Sequence, residues 1–276
     1  MWLALTTAIL LLSTALYSQR LALVEPESAK VEDLGSAVRA ILTPDFRIID
    51  ESLADAAFRS VTVADPFNLT TSDARRIGEV IGVNNFILLR SAVQRRASLD
   101  RPAYFEAYAI AYVVNTRTGA LEGWFRESVE GTSEKEARVR LIANAGSLAD
   151  RIAGSLKQNR FSIIRDTRFE EVPPDDSALA KGLRTPVPYR RLRPEYTELA
   201  SNYGVRASVD IEVDIDADGT IVRTSIERWA GFGLEESVEK AVRTMNWRPA
   251  ERNGKPLPMR ILLRYNFVKV EKDEAP

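Results

Sequence analysis

The sequence has no cysteine and no histidine. Without cysteine there is no disulfide, no thiolate nucleophile and no lipid-modified cysteine near the N-terminus. Without histidine there is no Ser-His-Asp triad and none of the imidazole ligands that hold most catalytic zinc and iron. Catalysis would have to rest on Asp, Glu, Lys, Ser or Tyr. Basic charge is not in excess: 38 Lys and Arg stand against 39 Asp and Glu, a net charge of −1. No long basic stretch breaks that balance, so a nucleic-acid partner is not expected. Beyond the first nineteen residues no apolar run reaches membrane-spanning length.

What is present can fold. Hydrophobic residues make up 45% and charged ones 28% of 276 residues, enough for roughly two domains at ~100–200 residues each. Residues 1–19 carry no charged side chain and include LALTTAILLLSTAL, closed by Arg20. This segment is read as a signal peptide or a membrane anchor. Either places the remainder outside the cytoplasm, and the anchor would attach it to the inner membrane. A buried core helix is the alternative.

Residues 20–168 alternate strands and helices. RLALVEPES (20–28) reads as a strand, and VEDLGSAVRAIL (31–42) as a helix burying Leu34, Val38 and Ile41 or Leu42. DFRIID (45–50) is a second short strand. A helix from Thr71 or Ser72 turns Ala74, Ile77 and Ile81 inward and stops at Gly82. FILLRSAV (86–93) opens with four apolar residues, as a strand covered on both faces would. A hairpin follows, with strands at 104–114 and 120–129. One long helix then starts at a capping box of Ser133 and Glu136, with Leu141, Ala145, Leu148, Ile152 and Leu156 as its buried stripe. This pattern implies a layered α/β sandwich. Tyr104, Tyr108 and Tyr112 share one strand face and are read as packing, against a helix or a neighbouring strand. Residues 169–186, rich in proline and acids, are read as an exposed linker.

The stretch VDIEVDIDADGTIVRTSI (209–226) spells the opening of a calcium loop at Asp214, Asp216, Asp218 and Gly219. Position twelve of that loop is Ser225, which lacks the bidentate carboxylate calcium needs. Val209, Ile211, Val213 and Ile215 alternate strictly with Asp210, Glu212, Asp214 and Asp216, the period of a strand with one buried and one wet face. Asp218-Gly219 is then a hairpin turn, and no metal is expected. A carboxylate-dependent metal enzyme, using for instance Asp210, Glu212 and Asp214 on one strand face, is a reading set aside because such carboxylates are more often solvated than catalytic.

A helix at 193–204, the hairpin, a helix at 233–245 and a last strand at about 259–268 give the second unit the order α-β-β-α-β. Pro194, Tyr196, Asp218-Gly219, Trp247, Pro249, Asn253-Gly254 and the closing Tyr265-Asn266-Phe267 resemble the TonB C-terminal domain over roughly residues 185–269, within a domain read as residues 187–270. The resemblance implies a small sheet packed by two helices that binds periplasmic partners by adding a strand. Its transducing members carry a transmembrane histidine and a long proline-rich spacer, and both are missing here. Thr197 stands where a proline often follows the tyrosine. Residues 20–168 resemble, at the level of fold patterns, the curli-secretion lipoprotein family, whose lipobox cysteine is absent.

The expectation is therefore a non-enzymatic periplasmic protein of the cell envelope, without a cofactor, acting as a protein-binding or scaffold protein. An energy transducer supporting outer-membrane transport is the alternative. The expected docking site is the edge of the last strand: Met259, Arg260, Ile261, Leu262, Leu263, Arg264, Tyr265, Asn266 and Phe267. Pro249 and Pro256 interrupt the segment before it and leave that edge poorly covered. A peptide or a second copy of the chain could add there. Arg260, Arg264 and Lys269 point to an acidic guest.

Overall fold

The structure, a computed structural model, describes residues 19–27, 30–98, 101–158, 167–174 and 176–268. Residues 1–18 of the 1–19 segment read as a signal peptide or membrane anchor lie outside them, as does Lys269. Among the described residues no helix is long and apolar enough to cross a membrane.

The first unit is a five-stranded sheet. Its strands are β1 (Arg20–Val24), β2 (Arg47–Ile48), β3 (Asn85–Ser98), β4 (Arg101–Asn115) and β5 (Leu121–Gly131), in the order β2-β1-β3-β4-β5. β1 runs parallel to β2 and β3, and the remaining pairs are antiparallel. Helices α1 (Leu34–Leu42), α2 (Glu51–Arg59), α3 (Thr71–Ile81), α4 (Glu134–Ala143) and α5 (Ala145–Lys157) cover it. Period-two alternation divides the apolar residues. Leu21, Leu23, Ile87, Leu89 and Val113 face α1, α4 and α5, whereas Ala22, Val24, Phe86, Leu88, Ile110 and Tyr112 face the opposite side.

Two details depart from the sequence reading. Residues Glu51–Arg59 form α2, which the pattern concealed. Asp50 caps it, accepting from the Ser52 and Leu53 amides, and Ala54 and Phe58 are buried one turn apart. The long helix is two helices meeting at Asn144, whose φ of −90° and ψ of 7° leave the helical range. Their stripe is buried as expected. The capping box is split: Ser133 Oγ accepts from the Glu136 amide, and the Glu136 carboxylate accepts from the Thr132 amide rather than that of Ser133.

The connecting segment is not simply exposed. Phe169 is buried, and β6 (Glu170–Glu171), β7 (Leu183–Arg184) and β8 (Val187–Pro188) each pair with the second unit. That unit holds α6 (Glu198–Asn202), β9 (Ala207–Ile215), β10 (Ile221–Arg228), α7 (Leu234–Arg243), β11 (Trp247–Arg248), β12 (Ala250–Arg252), β13 (Lys255–Leu257) and β14 (Met259–Phe267). Its main sheet has the order β10-β9-β14-β6. The alternation read at 209–215 holds, with all four aliphatics fully buried toward α7.

Turn chemistry fixes the registers. Asn253 and Gly254 both have positive φ, 51° and 79°, the type I′ geometry that joins β12 to β13. Gly219 has φ +88°, and a Cβ there would lie 2.4 Å from the Trp247 carbonyl oxygen, so the hairpin turn and the tryptophan strand meet only at a glycine.

The two units share one core. The uncovered part of the first sheet packs on the second unit through Tyr112, Trp124, Trp229 and Phe232. Tyr108 meets Tyr203 edge to face at 4.8 Å. The Tyr108–Tyr112 face is thus packing, but against the second domain. Asn68 acts as a piece of strand: its side-chain amide bonds the backbone N and O of Ser208 and the carbonyl of Trp229.

Candidate functional site

The wet face of the β9–β14 sheet is a lattice of opposite charges. Arg264 is the cross-strand partner of Asp210 and Arg260 that of Asp214. Arg264 Nε and Asp210 Oδ1 lie 2.7 Å apart, and Arg260 Nε and Asp214 Oδ1 2.6 Å. From β10, Arg228 reaches Asp210 at 3.2 Å, while Arg223 reaches Asp214 at 2.9 Å and Glu212 at 3.0 Å. Asp210 and Asp214 are almost wholly buried. Burial alone would raise both carboxyls, but the guanidinium bonds from Arg264 and Arg228, and from Arg260 and Arg223, hold them below the ordinary carboxylate range. The expected acidic wet face is therefore a paired and largely buried one.

This lattice bears on two expectations. The carboxylates considered for metal chemistry, Asp210, Glu212 and Asp214, are each paired with arginines. The loop carboxylates are occupied too: Asp216 accepts from the Ala217 amide and Asp218 from the Thr220 amide, within the hairpin read from sequence. Of the two arginines expected to attract an acidic guest, Arg260 is buried in the lattice, whereas Arg264 is paired with Asp210 yet 56% exposed and lines the groove beside β14. The sequence reading missed Arg223 and Arg228, although equal four-residue spacings at 210/214 and 260/264 were a visible sign of cross-strand pairing.

The edge of β14 has a definite geometry. Its long neighbour is β9, paired in unbroken register from Met259 to Phe267. Pro249 lies between β11 and β12 and Pro256 within β13; β12 and β13 pair with each other, and β12 with β7, rather than with β14. On its other side β14 meets only β6, at Met259 and Arg260. From Ile261 onward no strand flanks it among the described residues. The carbonyl of Arg264 accepts from Arg191 at 3.1 Å, so it points away from β9. The backbone of Ser208, opposite Asn266, is bonded to Asn68 on the far side of β9, which gives the same parity. The peptide groups of Leu262, Arg264 and Asn266 therefore face outward, while those of Ile261, Leu263 and Tyr265 bond β9.

Beside this edge lies a groove of about 710 Å³ between β14 and the segment around Arg191, Arg193 and Tyr196. Leu262 is 60% exposed. The Tyr265 hydroxyl lines the groove, buried and without a hydrogen-bond partner. Burial raises its pKa. Arg191 lies over the Tyr265 ring at 5.1 Å. The other motif residues build the frame. Tyr196 donates to the carbonyl of Val205 at 2.8 Å and stacks on Phe267 at 6.2 Å, Pro194 is buried, and Pro249 lies against the Gly219 turn.

No curated protein matches the chain. Among solved structures, lipoprotein GNA1162 from Neisseria meningitidis is 11% identical, with 49% of this chain and 99% of that one covered at a TM-score of 0.35. The LpoB C-terminal domain from Salmonella enterica is 13% identical, with 41% and 82% covered at a TM-score of 0.29. The Pseudomonas aeruginosa TonB C-terminal domain is 18% identical, with 39% and 100% covered at a TM-score of 0.28. The family model for the Gram-negative bacterial TonB protein C-terminal matches residues 193–268. That match agrees with the Pro194-to-Phe267 motif set: residues 193–268 match the TonB C-terminal domain family.

Proposed function

We propose that this is a non-enzymatic protein of the Gram-negative envelope whose C-terminal domain captures an extended segment of a partner protein along β14. The observation that carries this reading is that β14, paired along its whole length with β9 on one side, has no strand flanking its other side from Ile261 onward among the described residues. The other outermost strands of the two main sheets, β2, β5 and β10, are blunted, as free edges usually are. β2 is two residues long. The β5 carbonyls of Glu122, Arg126 and Glu130 accept from Ser155, Arg151 and Arg140. β10 is broken by two register shifts and bridged at Arg228 by Thr70. An added strand would find outward peptide groups at Leu262, Arg264 and Asn266, a groove for its side chains and an unpaired Tyr265 hydroxyl. Arg191 and Arg193, both exposed at the groove together with Arg264, support an acidic guest.

Hydrogen exchange on the full chain tests this. With partner bound, the Leu262, Arg264 and Asn266 amides should gain protection, while Ile261, Leu263 and Tyr265 are protected in both states. Leu262→Pro removes one outward amide and spares the β9 ladder and the ion pairs. It should keep the fold and weaken capture at least tenfold. Unchanged capture would show that the partner docks elsewhere.

A further inference from the structure

A second cleft, of about 670 Å³, opens where the two units meet, between α5 and β5 on one side and the start of α7 on the other. It owes nothing to β14. Its walls include Trp124 and Phe232, whose rings lie 4.9 Å apart.

Three carboxylates line it without a cation: Glu122, Glu235 and Glu236. Glu122 accepts from the side-chain amides of Asn85 and Asn115, and Glu235 from the backbone amides of Ala230 and Gly231. Those donors are neutral, so no cation is bonded to either carboxylate. Burial raises the Glu235 pKa, as expected of a carboxylate with no cation beside it. Glu236 is exposed at the rim. Arg151, the basic residue of the lining, is already bound to Glu127 and to the Arg126 carbonyl. The cleft is thus acidic and has room for a cation.

It also offers backbone groups. The Arg126 carbonyl points away from β4, toward Arg151. Trp124 is two residues back in the regular part of β5, so its N–H and C=O face the same way. No hydrogen bond reaches them from the described residues. The Trp124 indole nitrogen is also buried without a partner.

We propose that this interdomain cleft is a second recognition site, for a short extended peptide segment carrying lysine or arginine. The segment adds to β5 at Trp124, between the side-chain caps at Glu122 and Arg126. Its apolar side chains meet Trp124 and Phe232, and its basic side chains meet Glu122, Glu235 and Glu236. Because the walls come from both units, occupancy bridges them.

The probe is acetyl-Lys-Val-Lys-Val-Lys-Val-amide, titrated into the full chain and followed by tryptophan fluorescence, with the Glu-Val counterpart as control. Gly154→Leu blocks the cleft sterically. A Cβ at Gly154 meets nothing within 4 Å, and leaving glycine favours the helix, so the fold is kept. Glu236→Lys reverses the rim charge. Saturable binding of the lysine peptide is expected, weakened about tenfold by either variant and by raised salt. Leu262→Pro should leave it unchanged, which separates this site from the β14 edge. Absence of saturable binding, equal binding of the glutamate peptide, unchanged affinity in Gly154→Leu or loss in Leu262→Pro would each overturn the proposal.

Discussion

The Trp229 indole N–H donates to the carbonyl of Gly119 at 3.1 Å, a buried bond between residues 110 positions apart in the chain. It joins the loop after β10 to the turn between β4 and β5. Trp229 is 1% exposed and packs on Tyr112 at 5.7 Å. Trp229→Ala should cost about 3–5 kcal/mol, because it opens a cavity and leaves the Gly119 carbonyl unsatisfied. The two units share this core, so thermal unfolding should be a single transition in wild type. Two separate transitions in calorimetry of wild type would show that the interface contributes little.

Gly219 gives a second test. Its positive φ and its approach to the Trp247 carbonyl both exclude a side chain. Gly254 has a similar φ of 79°, but a Cβ there meets nothing within 4 Å. Gly254→Ala should therefore cost only the left-handed backbone penalty, about 1 kcal/mol. Gly219→Ala should cost clearly more, about 2–3 kcal/mol, because the backbone must also shift. Equal losses in denaturant melts would mean that the Trp247 contact relaxes freely.

These two sites show what was legible in the sequence. The Asp218-Gly219 turn, the alternation at 209–215 and the α3 stop at Gly82 are local, and local chemistry suffices to read them. Helix α2 hid because Ala54 and Phe58 are sparse apolar markers between polar residues, although Asp50 was a sound cap. The burial of Asp210 and Asp214 could not be seen on β9 alone. It depends on Arg260 and Arg264 about fifty residues away, which the register of β14 brings opposite. The packing of Tyr112 against the second unit is likewise non-local: a tyrosine stripe signals contact but does not name the neighbour.

Glu235 yields a prediction with the opposite pH sign to the aspartates. Its folded pKa is raised by burial, so its ionisation costs stability as pH rises through that value. Glu235→Gln keeps a carbonyl acceptor for the Ala230 and Gly231 amides and removes the charge. The variant should match or exceed wild type in melting temperature at pH 8, and this advantage should shrink on going to pH 4. A variant less stable than wild type at pH 8 would show that the charge itself holds those amides.

Asp214 tests the charge lattice. Asp214→Asn leaves Arg260, itself 4% exposed, beside an amide instead of a carboxylate. Breaking a buried pair from one side typically costs ~3–5 kcal/mol, and Glu212, 3.0 Å from Arg260, should keep the loss near the lower end. The sign with pH follows from the depressed pKa. In wild type the contribution of Asp214 is complete above its unfolded-state value, near 4, and disappears as pH falls through the lower folded value. The stability gap between wild type and Asp214→Asn should therefore be constant from pH 8 to about pH 5 and close below about pH 4. Urea melts across this range measure it directly. A gap that persists unchanged at the lowest pH where the chain still folds would mean that Asp214 acts through packing rather than through its charge.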